Sequence, residues 1–230
     1  MTMTRTPTTG TIRKSNMLDK RTTEAIEFGF IDMVRYLNNG GLQEHIFSSV
    51  DSAYQIFVTF DDFGGSQEKS KRISPIFQKL IPIFASKHLL KHGLRLREED
   101  GDGYDFILET LSGEIEDYNE LKNTTGPDDK RIDTWTLNKN SLVKVPLHLL
   151  ISYKTQGSII REVGLYLTDT TSDAVERHVP EGKSHAYAAL KLMPEAMTSD
   201  KFECLVGSLS RRGKTSWLLD RPYSVMEIVI

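Results

Sequence analysis

A single cysteine, Cys204, excludes an intrachain disulfide and any zinc cluster built on cysteines. It lies in FECLVGSL, an apolar setting that suits a buried structural thiol better than a nucleophile. No apolar run reaches the roughly 18 residues of a membrane-spanning helix. The N-terminal MTMTRTPTTG lacks the apolar stretch of a secretion signal. The expectation is a cytoplasmic protein without a membrane partner. No Gly-x4-Gly-Lys-Ser/Thr loop, Gly-x-Ser-x-Gly elbow or His-Glu-x-x-His helix is present, which removes the common nucleotide-binding, serine-hydrolase and zinc-peptidase signatures. No internal repeat is visible.

An overall excess of positive charge is also missing. The formal net charge is -3, against the basic balance usual in nucleic-acid-binding proteins. Its distribution changes the meaning of that number. Ten acids stand between Glu98 and Glu120 with no Lys or Arg among them, leaving 22 acids against 29 bases in the rest of the chain. An acidic cluster in a basic body suits a cation-dependent enzyme acting on phosphates.

At 230 residues with 38% hydrophobic content, the chain fits one large domain, 19–230, behind a flexible arm at 1–18 rich in Thr, Ser and Gly. Ile26, Phe30, Met33, Val34 and Leu37 keep helical spacing, with Thr22 or Thr23 as the expected cap and Asn38-Asn39-Gly40-Gly41 as the stop. Residues 42–60 read either as two helices or as a helix followed by a strand. A further helix is expected over 75–92, restarted near Pro82 and ended by Gly93. His88 and His92 are one turn apart on it, but without a third ligand they read as a basic helix end. Runs at 147–155 and 158–168 predict a hairpin turning at Gln156-Gly157, and 199–209 reads as a helix capped by Ser199 or Asp200. Consecutive strands with helices before and after predict a central mixed β-sheet flanked by helices, of α/β or α+β class.

The most informative stretch is YDFILETLSGEIEDYNELK, residues 104–122. Two strand-like runs, 104–111 and 114–122, surround Ser112-Gly113, a hairpin turn signal. With a two-residue loop, facing positions sum to 225, so Asp105 stands opposite Glu120, and Lys122 follows on the same face. Carboxylates on directly opposed residues, with Cβ atoms about 5 Å apart, repel unless something offsets them. A divalent cation does so, and Mg²⁺ favours a few carboxylate oxygens plus water and substrate phosphate.

This arrangement, Asp105 and then Glu120-Leu121-Lys122, resembles the active site of the PD-(D/E)xK nucleases. The proline usual before the aspartate in that family is Tyr104 here. The resemblance implies a restriction-endonuclease-like core and a Mg²⁺-dependent endodeoxyribonuclease, most specifically a site-specific type II restriction enzyme acting on double-stranded DNA as a homodimer. It further implies Asp105, Glu120 and Lys122 as catalytic residues, with Asp105, Glu120 and the Leu121 backbone carbonyl holding the metal. Glu24 and Glu27 on the first helix are candidate accessory acids. DNA contacts are expected from Lys130, Arg131, Lys139 and Lys144 after the hairpin, and from Arg211, Arg212 and Lys214 on a basic turn. Two alternatives stay open: a repair or junction-resolving nuclease of the same fold, and a non-enzymatic interaction protein with an acidic hairpin.

Overall fold

The computed structural model describes residues 17–51, 58–101, 104–124, 135–137, 147–169, 175–178, 189–192, 197, 199 and 201–207. The first helix, α1 (Lys20–Tyr36), is capped by Asp19 rather than by the threonines, its carboxylate accepting the N–H groups of Arg21 and Thr22 at 2.9 and 3.2 Å. The Thr22 hydroxyl donates to the same carboxylate at 2.7 Å, and Thr23 donates to the Asp19 carbonyl at 2.9 Å, so both support the cap. At Asn39-Gly40 the helical path breaks, Gly40 taking φ 103°, a left-handed value that glycine adopts readily. The expected stop is therefore a bend, and α2 (Leu42–Ser48) follows at once.

Helix α3 (Ser66–Leu89) starts nine residues before the expected position and runs unbroken through Pro75 and Pro82. It packs along α1, and Gly29 of α1 meets Ala85 closely: a Cβ on Gly29 would lie 2.4 Å from the Ala85 Cα. A short 3₁₀ turn over Leu90–His92 ends at Gly93, which supplies φ 73°.

Among the described residues nine strands follow: β1 (Leu94–Gly101), β2 (Tyr104–Thr110), β3 (Ile115–Thr124), β4 (Thr136–Leu137), β5 (Leu147–Gln156), β6 (Ile159–Asp169), β7 (Val175–His178), β8 (Ala189–Leu192) and β9 (Phe202–Val206). Six form a mixed sheet in the order β1-β2-β3-β5-β6-β9, antiparallel at every step except β3 with β5, which are parallel. The others form a small sheet, β4-β8-β7.

Strand alternation gives the large sheet two apolar faces. Leu96, Phe106, Leu108, Leu121, Leu149 and Leu167 pack into one buried cluster with Ile26, Phe30, Phe77 and Ile81, so α1 and α3 roof that face. Leu150, Tyr166, Phe202 and Cys204 point the other way and join Trp135, Leu137 and Leu192 of the small-sheet region. The Trp135 indole N–H donates to the Ile151 carbonyl at 2.9 Å, which removes the cost of burying it. Cys204 is a buried thiol outside any disulfide, as its apolar setting implied.

The segment read as a helix over 199–209 contains β9. Ser199, taken as a cap, closes a turn instead: its carbonyl accepts the Phe202 N–H at 3.2 Å and its hydroxyl the Lys201 N–H at 3.3 Å. Ser makes such bonds at turns as well as at caps. The alternating burial of FECLV, with Phe202, Cys204 and Val206 inside, is the period of a strand.

One polar knot ties the helical layer to the second hairpin. Asp61 accepts from Lys69 at 2.8 Å, from the Thr155 hydroxyl at 3.1 Å and from the Gly157 N–H. Burial alone would raise the Asp61 pKa, but the Lys69 ammonium and the Gly157 and Thr155 donors outweigh it and hold it below the ordinary value. Asp61→Ala is expected to destabilise the fold by about 2–3 kcal/mol in urea unfolding, because it strips a carboxylate from a charged donor and a backbone N–H. A depressed folded pKa stabilises above the unfolded value of about 3.9, and this contribution is lost as pH falls through the folded value. The gap between wild type and variant should therefore be flat above about pH 5 and close below about pH 4. A gap that widens in acid would contradict this account.

Candidate functional site

The hairpin register matches the sum of 225 over Phe106↔Asn119, Ile107↔Tyr118 and Leu108↔Asp117. Near the turn the pairing is Glu109↔Ile115, one residue out of step, and a bulge takes up the difference. The turn itself is closed by Thr110 N–H to the Glu114 carbonyl at 2.8 Å and Gly113 N–H to the Thr110 carbonyl at 3.0 Å, with Gly113 at φ 92°. A loop longer than two residues and a compensating bulge thus return the register that a two-residue loop predicts. Asp117 and Asn119 lie opposite core residues and are themselves buried.

Backbone pairing between β2 and β3 extends to Phe106↔Asn119, and at the next step the Asp105 side chain replaces it. Its Oδ2 accepts the Leu121 N–H at 2.8 Å. The aspartate is thereby keyed to the middle residue of Glu120-Leu121-Lys122. Its Oδ1 accepts from Gln78 Nε2 of α3 at 3.1 Å. The neighbouring Tyr104 packs against Tyr118 in a tilted arrangement, with ring centroids 4.8 Å apart.

Glu120 and Lys122 alternate with Leu121, which faces the helical layer, so both belong to the opposite face. Glu120 is buried and Lys122 part-buried, and the ammonium is ion-paired with the Glu120 carboxylate. The parallel register sets the buried His148 beside Glu120 on that face. The Asp105 carboxylate is held at the strand edge and approached from α3, while Glu120 is approached from the far side by Lys122, so the common face expected for Asp105, Glu120 and Lys122 is not what the structure shows.

A second charged group lies further along the same hairpin. Glu109, 4% exposed, is gripped by Arg95 at 2.7 Å and Arg97 at 3.2 Å from β1, and Arg97 also pairs with Glu99. Burial would raise the Glu109 pKa, yet Arg97 and Arg95 together bring it below the ordinary value. Glu99, Glu109 and Glu120 of the acidic run are thus paired with cations within the meander.

Oxygen donors from two acids and a main-chain carbonyl fit the preference of Mg²⁺. Among the described residues no three His, Cys, Asp or Glu side chains stand together as a ligand group. A cation here would complete its shell with water and substrate phosphate, as Mg²⁺ usually does.

Glu27 lies near Glu203 on β9, and burial, then Glu24 and Glu203, raise its pKa. Strand β9 is four strand spacings from β2, roughly 19 Å, so the structure does not bring the accessory candidates to Asp105. Lys130, Arg131, Lys139, Lys144, Arg211, Arg212 and Lys214 fall outside the described residues. His88 is engaged by Asp32 at 2.9 Å, which accounts for it structurally. Gln78 is the side chain that sequence reading missed. Its partner lies 27 residues away, and nothing in its helical setting distinguishes it from a surface glutamine.

No family model and no curated protein matches this chain. No helix among the described residues is long and apolar enough to cross a membrane.

Proposed function

We propose that the protein is a Mg²⁺-dependent endodeoxyribonuclease, read most specifically as a site-specific type II restriction enzyme. The observation that carries this is the bond between the Asp105 carboxylate and the Leu121 N–H, which joins the aspartate to the Glu120-Leu121-Lys122 triplet across adjacent strands. A bound cation would supply charge stabilisation and lower the pKa of a water molecule. Asp105 and Glu120 would hold it with the Leu121 carbonyl. Lys122, released from Glu120 as the cation takes over the carboxylate, would steady the attacking water or a phosphate oxygen. Because one such site cuts one strand, a double-strand break is proposed to come from a twofold dimer. Phe28 and Ile83, about half exposed on α1 and α3, provide apolar surface for it on the helical layer.

Incubation of unmodified phage DNA with the protein and Mg²⁺ tests this. Discrete bands are expected, a smear would indicate a nonspecific nuclease, and intact DNA would contradict the proposal. A second reading draws on the ion pair of Lys122 with Glu120, which satisfies the acid without any metal. In that case the hairpin is a charged interaction surface, and DNA stays intact with or without Mg²⁺.

A further inference from the structure

Asp105 has two anchors, of different kinds. The Leu121 N–H belongs to the hairpin and follows from its register. The Gln78 amide comes from α3, a separate layer of the fold, and is the described side chain that reaches the aspartate from outside the sheet. An ionised carboxylate only accepts hydrogen bonds, so the amide must present its NH₂ group. Gln78 also sits where α3 has a gap in its ladder: Pro82, four residues on, has no N–H for the Gln78 carbonyl. The helix nonetheless holds Gln78 firmly, since Phe77 and Ile81 on either side are fully buried.

We propose that Gln78 is a positioning residue that fixes the Asp105 carboxylate from α3 and so sets the affinity of the hairpin for a divalent cation. This rests on the cation site proposed above. With the amide in place, one carboxylate oxygen is oriented by the helix and the other by β3, leaving their remaining lone pairs aimed by rigid elements. Without it, the side chain turns about its own bonds, and a cation must order it on binding. Partners behind metal ligands typically contribute 10–100-fold to metal affinity.

The test is Mn²⁺ binding to the full-length chain, followed by the electron paramagnetic resonance signal of the free ion, with circular dichroism to confirm folding. Wild type is expected to bind, and Asp105→Ala to lose binding. Gln78→Met keeps the side chain's length without its polar atoms, and is expected to weaken binding about tenfold. Should the Met variant fail to fold, Gln78→Asn, one methylene too short to reach Asp105, is expected to show the same loss. Wild-type affinity in a folded Gln78→Met or Gln78→Asn, with Asp105→Ala still defective, would overturn the role of Gln78 and leave the hairpin site standing. Absence of Mn²⁺ binding in the wild type, or equal binding by Asp105→Ala, would overturn the hairpin site and Gln78's role together.

Discussion

Lys122→Ala is expected to lower Mg²⁺-dependent DNA cleavage by about 10²–10³-fold, the scale on which single transition-state-stabilising donors act. DNA affinity should change little, because one lysine is a small part of a polyelectrolyte contact. The structure adds a second expectation. Lys122 is a counter-charge for the buried Glu120, so its removal should destabilise the folded protein without metal. A cation at the same carboxylate would then stabilise the Lys122→Ala variant more than the wild type. Melting temperatures with and without Mg²⁺ read this directly. Wild-type turnover in Lys122→Ala would remove the lysine from the mechanism. An equal Mg²⁺ response in both proteins would mean that the ammonium and the cation do not compete for Glu120.

A second large loss of stability outside the site is expected at Gly29. In an exposed helix Gly→Ala gains about 1 kcal/mol from propensity. At Gly29 the new methyl would lie 2.4 and 2.5 Å from the Cα and N of Ala85, backbone atoms that move only if α1 and α3 separate. Separating two packed helices costs typically 1–3 kcal/mol, occasionally more, through strain and lost contact. The clash should therefore win: Gly29→Ala is expected to lose about 2 kcal/mol and Gly29→Val more, measured by denaturant unfolding. A more stable Gly29→Ala protein would show that the helices are not held this closely.

What was legible in the sequence follows the range of the interactions concerned. The register of Phe106, Ile107 and Leu108 against Asn119, Tyr118 and Asp117 came from local rules, a turn glycine and strand periodicity, and the bulge near Glu109 preserved it, whereas the common face expected for Asp105 and Glu120 did not follow from it. The second hairpin was legible for the same reason, although it turns at Gly157-Ser158, one residue past the expected Gln156-Gly157. Strand β1 was not: LRLREEDG is too charged to read as a strand, and it is one because Arg95 and Arg97 find Glu109 on the neighbouring strand. The early start of α3 depends on the turn around Asp61, whose partners Thr155 and Gly157 are more than ninety residues away. The small sheet consists of short strands paired across long sequence separations, and Gln78 reaches Asp105 only because two layers pack. Contacts of that range leave no periodic trace in a single sequence.

The central claim is that Asp105 and Glu120 share one divalent cation. A crystal structure of the protein grown with Ca²⁺ and duplex DNA tests it most directly, since Ca²⁺ takes oxygen ligands at about 2.3–2.6 Å. One ion is expected within that distance of an oxygen of each carboxylate, with Lys122 moved off Glu120 and a phosphate oxygen in the remaining shell. Two carboxylates with no shared ion, and Lys122 still paired with Glu120 beside bound DNA, would contradict it.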